Sequence, residues 1–218
     1  LGSSLAVLQQ YRFAAMESVS ADKVAKAASF VILSGLVAAV LGPELATIGK
    51  DIFEREYVGS FCLLALTSLS GGVFLSFYQA KTINIQQVEI SARSLSDLLR
   101  NKLFWVAVMS STIGYAVMSY IMTATPVSMH VMMGHGLNDT KWVIQSHILA
   151  MFLPSLFSGH LANKLGIKPL MFLGLVLYAA CIGLSLSGRD VMHYWGGLVL
   201  LGLGWNFLFV SGTLLLAS

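Results

Sequence analysis

A few polar side chains lie inside long apolar runs of this sequence, and they are the residues that could do chemistry. The run from Leu103 to about Met129 carries hydroxyl groups and a thioether at a spacing of three to four residues, which places them on one helical face. The run from Val191 to Leu216 carries an indole beside a side-chain amide. Buried polar groups need hydrogen-bond partners, supplied by water and solute in a cavity or by a neighbouring helix. The candidates are Tyr115, Ser119, Met122, Thr123, Trp205 and Asn206.

Glu44 is an acidic residue well inside an apolar run. A carboxylate in hydrocarbon costs on the order of 3 kcal/mol on insertion scales, so such residues usually have a function. Glu44 could bind and release a coupling proton. It also lies six residues before Lys50, near the end of the run, where an acid close to the membrane surface costs little. Both interpretations stay open.

Enzymatic chemistry finds no support in the sequence. There are no paired carboxylates, no histidine-rich cluster, no nucleophile elbow and no phosphate-binding glycine loop. Cys62 and Cys181 lie inside apolar runs without metal or disulfide spacing. We therefore expect no enzyme activity, no cofactor and no metal.

The composition indicates a membrane protein. Of 218 residues, 56% are hydrophobic and only 11% are charged, whereas a soluble domain has about 25% charged residues. The mean hydropathy is +0.78. The net charge of +3 comes from the connecting segments, which favours the lipid bilayer as partner and not nucleic acid. We expect a multi-pass protein integral to the plasma membrane, namely a bacterial inner membrane.

Apolar runs of about 20 residues, the length that crosses a bilayer, predict an all-α polytopic transmembrane helix bundle. Its six complete spans are residues 27–49, 57–80, 103–129, 142–161, 169–187 and 191–216. Nine of the 13 Lys and Arg residues fall on alternate connectors, those of the side that holds residues 81–102, which is therefore predicted to be cytoplasmic. His147 is expected near the opposite surface, in a solvated or capping role. The sequence begins and ends inside apolar runs, which predicts a fragment of a longer protein.

The segment SGHLANKLGIKPL, residues 158–170, predicts a tight polar loop between two spans, with Gly166 in the left-handed conformation and Pro169 in the first turn of the next helix. It resembles the loop signature of the major facilitator superfamily of secondary transporters, Gly-x3-Asp-Arg/Lys-x-Gly-Arg-Lys/Arg. Gly159, Lys164, Gly166 and Lys168 match this pattern. Asn163 replaces the usual Asp, and Ile167 replaces a basic residue. The resemblance implies that this segment stabilises one access state.

A second resemblance lies in residues 29–47. Family antiporters carry Gly-x8-Gly-x3-Gly-Pro-x2-Gly-Gly in their fifth helix. Gly42 and Pro43 match it, and small residues (Ser29, Ala38, Ala46 and Thr47) fill the other positions. The resemblance implies a helix-packing role, because small residues let helices approach closely in lipid.

The two resemblances give the register of the chain in the family. Residues 1–80 would be the end of the N-terminal half (the end of helix 4, then helices 5 and 6). Residues 81–102 would be the cytoplasmic linker with an amphipathic helix, and residues 103–218 would hold helices 7 to 10.

The resemblance, which is to the bacterial drug-efflux-like branch, implies secondary active transport of a small organic solute by alternating access, with protons as the candidate coupling ion. The family lines its solute cavity chiefly with helices 1, 4, 7 and 10, which makes the polar residues of 103–129 and 191–216 the cavity candidates. The alternative is a membrane receptor or scaffold that keeps the fold without transport. The departures at Asn163 and Ile167 support that alternative.

Overall fold

A computed structural model of the protein describes residues 15, 18–19, 24–78 and 95–217. These residues are mainly helical, and no β-strand occurs among them. The chain divides into two compact units, Leu1–Ile90 and Ser91–Ser218. The half-span predicted at residues 1–9 and most of the linker predicted at residues 81–102 lie outside the described residues.

The first unit contains an antiparallel pair of helices, α1 (Val24–Gly49) and α2 (Val58–Ser76). The turn between them closes with a hydrogen bond from the Tyr57 amide to the Lys50 carbonyl, 2.9 Å long. The helices approach most closely at Gly49 and Gly59, where a Cβ added to Gly49 would lie 2.8 Å from the Gly59 carbonyl carbon. The Ser60 hydroxyl donates to the Ala46 carbonyl at 2.6 Å. Glycine at both positions therefore permits the contact.

The second unit is a bundle built around its last helix. Its elements are α3 (Leu95–Arg100), α4 (Lys102–Pro126), a π-helix (Val127–Met132), α5 (Leu137–Phe152), α6 (Ser155–Leu165), α7 (Ile167–Ser187) and α8 (Val191–Ala217). Helix α8 packs against α4, α5 and α7. Tyr178 of α7 donates to the Gly114 carbonyl of α4 at 2.6 Å. The core residues of the unit lie around α8.

Four of the described helical segments are long and apolar enough to cross a membrane: Val58–Ser76, Lys102–Met132, Ile167–Ser187 and Val191–Gly212. Val58–Ser76 and Val191–Gly212 lie within the spans predicted at 57–80 and 191–216, and the other two extend the spans predicted at 103–129 and 169–187 by one to three residues. In α1, a shorter segment, Ser34–Gly49, is apolar. The predicted helix bundle is confirmed.

The single span predicted at residues 142–161 is wrong. The chain forms α5 and α6 there, separated at Leu153 and Pro154, because proline has no amide hydrogen and its ring clashes with the preceding turn of a helix. Helix α5 also begins at Leu137, so the loop predicted at residues 130–141 shortens to residues 133–136. The π-helix occupies the rest of that predicted loop, directly after Pro126.

The polar loop predicted at residues 158–170 is mostly helical. Residues 158–165 belong to α6, α7 begins at Ile167, and only Gly166 lies between the two helices. Gly166 has φ 89° and ψ 157°. Its φ is positive as predicted, but its ψ is extended, which is a region open essentially to glycine alone. Pro169 lies in the first turn of α7, as predicted.

More Lys and Arg residues lie at one end of the second unit than at the other. The end of α8 meets the beginning of α4, since a Cβ on Gly212 would lie 3.1 Å from the Ala107 carbonyl oxygen. At the other end, His135 Nε2 lies 2.8 Å from the Arg189 carbonyl oxygen. The first end holds Arg100, Lys102, Lys164 and Lys168, and the second holds Lys141 and Arg189. The assignment of the first end to the cytoplasmic side stays a prediction.

Candidate functional site

An open groove of about 820 Å³ runs along α4 and the π-helix. Small-molecule sites occupy about 300–1,000 Å³, so the groove has the size of such a site. Its lining combines aromatic rings, hydroxyl groups and a thioether. The lining residues are Tyr115, Ala116, Ser119, Tyr120, Thr123, Ala124, Val127, Ser128 and Met132.

Helical spacing places the predicted residues of α4 in this groove. Tyr115, Ser119 and Thr123 recur every four residues, and all three line it. The Thr123 hydroxyl donates to the Ser119 carbonyl at 2.7 Å, which satisfies its hydrogen within its own helix. Sequence reasoning missed Tyr120, which is 76% exposed on the same groove. The sequence feature that could have identified it is a phenol inside an apolar run.

Met122 does not line the groove. It packs against the core of the second unit, whose buried members include Met118, Met151 and Trp205. The predicted thioether is therefore a packing group in this structure.

Trp205 lies behind the groove, at the centre of an aromatic cluster. Its ring stacks on Phe209, with centroids 4.9 Å apart and planes 11° apart. It meets the rings of Tyr115 and Phe152 edge to face, at 6.3 Å and 6.4 Å. The indole is only 5% exposed, and Tyr115 is the member of this cluster that also lines the groove.

Asn206, the next residue, is completely buried and joins α8 to the chain around the α5–α6 break. Its Nδ2 donates to the Met151 carbonyl at 2.7 Å and to the Ser155 hydroxyl. Its Oδ1 lies 2.9 Å from the Ser158 hydroxyl, which donates to it and also lies 2.7 Å from the Pro154 carbonyl. The Met151 carbonyl can only accept, which fixes the orientation of the amide. The geometry favours the interhelical alternative for Asn206, because both of its N–H groups are already used.

His147 lies in the interior of the second unit. The sequence predicted instead a solvated or capping role near a surface. It is completely buried, and its Nδ1 lies 2.8 Å from the Leu198 carbonyl oxygen of α8. Close packing explains this position, since a Cβ on Gly202 would lie 2.6 Å from the His147 carbonyl oxygen. The prediction failed because the polar ring has its partner on α8.

The far end of the groove is tied to α8 by one hydrogen bond. Ser128, in the π-helix, lies 2.8 Å from the Tyr194 hydroxyl oxygen. The Tyr194 ring meets the His135 ring edge to face, with centroids 5.8 Å apart. π-Helical segments occur often at functional sites. The sequence did not single out Ser128 or Tyr194, because their pairing joins residues 66 positions apart.

Tyr194→Phe is expected to lower the free energy of unfolding by about 1 kcal/mol, the typical value of one hydrogen bond. Ser128→Ala should have the same effect, and the double variant should be no less stable than either single variant. Thermal unfolding of the detergent-solubilised full-length protein measures all three, with Tyr120→Phe as the exposed control. Strictly additive losses in the double variant would contradict the pairing.

Glu44 and its neighbours belong to the first unit. Glu44 is half-buried in α1, which continues through Pro43. The Thr47 hydroxyl donates to the Pro43 carbonyl at 2.8 Å. A Cβ on Gly42 would meet nothing within 4 Å. Among the described residues the close helix contact lies at Gly49 and Gly59, so a packing role for Gly42 and Pro43 stays a prediction.

The family-like segment presents its positive charges outward. Gly159, Asn163 and Lys164 lie in α6 and Lys168 lies in α7. Both lysines are exposed, and no carboxylate among the described residues forms a salt bridge with either. The gating role of the segment stays a prediction.

Comparison with known proteins adds three bacterial relatives. The riboflavin transporter RfnT of Brucella anthropi is 38% identical over 209 residues, which cover 94% of this chain and 52% of the relative. Two MFS-type transporters of Bacillus subtilis, YddS and YdeG, are 30% identical over 235 residues and 31% identical over 236 residues. These two matches cover 99% and 100% of this chain, and 53% and 54% of the relatives.

The chain thus spans about half the length of the curated relatives it matches. No solved structure matches it significantly. The profile of the Major Facilitator Superfamily matches residues 6–218, nearly the whole sequence. The helical bundle, with its four described helices long enough to span a membrane, is the kind of fold that this family predicts. The chain is an integral membrane protein that belongs to the Major Facilitator Superfamily of transporters.

Proposed function

We propose that the protein containing this chain is a secondary active transporter that moves a small organic solute across a bacterial plasma membrane by alternating access. The observation that supports this most directly is the groove on α4. It gathers two phenols and three aliphatic hydroxyl groups along α4 and the π-helix, those of Tyr115, Tyr120, Ser119, Thr123 and Ser128. Polar groups in membrane helices mark solute pathways when they line a cavity.

A flat heteroaromatic compound such as riboflavin is the proposed substrate class. The relative of 38% identity is named as a riboflavin transporter. Tyr115 and Tyr120 line the groove, and rings of this kind stack on flat solutes while their hydroxyl groups donate hydrogen bonds.

Transport by the full-length protein in proteoliposomes tests this function. Vesicles loaded with unlabelled riboflavin should take up labelled riboflavin by exchange, and Tyr115→Ala should reduce the exchange rate by about tenfold or more. Thr67→Ala on α2, whose hydroxyl donates to the Leu64 carbonyl of its own helix, serves as the control and should exchange at the unaltered rate. Equal exchange by Tyr115→Ala would remove the groove from the solute pathway.

Proton coupling through Glu44 forms a separate part of the proposal. Glu44→Gln keeps the size of the side chain and removes its ability to release a proton. We expect a loss of at least about tenfold in riboflavin accumulation driven by a pH gradient, with exchange at equal pH retained. Glu54→Gln, in the exposed turn after α1, is the matched control. If the two variants accumulate riboflavin equally, Glu44 does not couple proton movement to transport.

The receptor or scaffold alternative predicts a different result in the same vesicles. It predicts no exchange of any flavin by the full-length protein. The features that favour it are the exposed lysines of the family-like segment, which form no salt bridge with any described carboxylate, and Asn163 in place of the usual acid. Measurable exchange would exclude this alternative.

A further inference from the structure

The indole N–H of Trp205 is a buried hydrogen-bond donor for which the described part of the chain supplies no acceptor. Trp205 is only 5% exposed, and its Nε1 has no hydrogen-bond partner among the described residues. An unpaired buried donor costs free energy, about 1–3 kcal/mol in mutational data. Such a group is usually explained by strain, by bound water or by a functional partner.

The surroundings of Trp205 hold the donor in a fixed orientation. Phe209 covers one face of the indole, and Tyr115 and Phe152 contact it edge to face. The next residue, Asn206, fixes this part of α8 by its bonds to Met151, Ser155 and Ser158. The rigid ring and fixed backbone give a preorganised donor, which recognises an acceptor without a large ordering cost.

Tyr115 connects the groove to the ring that carries this donor. Its ring lines the groove and lies 6.3 Å from the Trp205 ring. Other buried polar atoms without a partner among the described residues, such as His147 Nε2 and Ser211 Oγ, belong to residues outside this aromatic cluster. Because Nε1 is buried, a solute in the groove can reach it only when the surrounding rings, Tyr115 among them, move aside.

We propose that Trp205 Nε1 donates a hydrogen bond to a ring carbonyl oxygen of the transported heteroaromatic solute, so that this residue sets specificity for solutes with such an acceptor. The inference rests on the proposed transport of flavin-like compounds. Asn206 cannot take this role, because both of its N–H groups are already used. It acts as a positioning residue that holds α8 in register.

The test compares riboflavin exchange by the full-length carrier with that of Trp205→Phe, which keeps the stacked ring and removes the N–H. We expect the KM to rise about tenfold, the effect of one lost buried hydrogen bond, with a smaller change in maximal rate. Trp195→Phe is the matched control. Its Nε1 is also buried without a partner among the described residues, but its ring stacks on Trp142 with centroids 5.5 Å apart, and neither tryptophan lines the groove. It should keep the unaltered KM.

Riboflavin analogues provide a second measurement that does not depend on the folding of a variant. Two analogues, each lacking one of the two carbonyl oxygens of the flavin ring, compete with riboflavin for exchange by the unaltered carrier. At least one should compete about tenfold less well than riboflavin itself.

The outcomes separate the two proposals. If the unaltered carrier exchanges riboflavin while Trp205→Phe keeps its KM, or while both analogues compete as well as riboflavin, the role of Trp205 is refuted and transport stands. If the unaltered carrier exchanges no riboflavin, flavin transport and the role of Trp205 fall together.

Discussion

Gly202→Ala is expected to destabilise the protein by about 1–3 kcal/mol, the cost of overpacking a well-filled core. The added Cβ would lie 2.6 Å from the His147 carbonyl oxygen and 2.9 Å from the Ala150 Cβ. Both contacts involve the backbone or first side-chain atom of α5, so no flexible side chain can move aside. Alanine favours a helix by up to about 1 kcal/mol over glycine, which offsets part of the loss. Helices α5 and α8 must therefore separate.

Gly183→Ala is the matched control, because a Cβ at Gly183 of α7 would meet nothing within 4 Å. It should leave the protein equally or slightly more stable. Thermal unfolding of the full-length carrier in detergent measures both variants. Equal unfolding temperatures for Gly202→Ala and the unaltered protein would show that α5 and α8 do not pack at this glycine.

Asn206→Leu is expected to lower the free energy of unfolding by about 2 kcal/mol. Interhelical hydrogen bonds in membrane proteins contribute about 0.6 kcal/mol on average and up to about 1.7 kcal/mol, and the variant removes three bonds at once. Leucine keeps nearly the same size, so the loss comes mainly from the unpaired Met151 carbonyl and the hydroxyl groups of Ser155 and Ser158. The break between α5 and α6 should loosen first.

The same substitution at Asn138 is the control, since this asparagine is exposed in the first turn of α5. Asn138→Leu should change stability by less than about 0.5 kcal/mol, as surface substitutions usually do. Asn206→Asp separates hydrogen bonding from size, because an ionised carboxylate cannot donate to the Met151 carbonyl. An Asn206→Leu protein as stable as the unaltered one would show that this network contributes nothing.

The ends of the long spans could be predicted because charged or turn-forming residues bound each apolar run. The helix predicted to begin near Leu103 begins at Lys102, and the one predicted at Val191 begins there. The break at Pro154 was missed, although the proline was visible, because the apolar composition continues on both sides of it. Apolar runs indicate which residues avoid water, whereas backbone hydrogen bonding decides where a helix ends.

The site could be predicted only in part, for a similar reason. Helical spacing alone brings Tyr115, Ser119 and Thr123 to one face. The sequence also showed that Asn206 needs partners, but those partners lie 48 to 55 residues earlier. Which polar groups meet across helices depends on tertiary packing. The unused donor of Trp205 became visible only once its neighbours were placed.

Cysteine accessibility at Ser119 tests the central claim that the groove on α4 lines a solute pathway open to each side in turn. The measurement uses the full-length carrier with Cys62, Cys181 and every cysteine outside this chain replaced by serine or alanine, and Ser119→Cys introduced. A membrane-impermeant thiol reagent should label this cysteine when added to either side of sealed vesicles, and riboflavin should slow the labelling. Labelling from one side only, or from neither, would contradict the account.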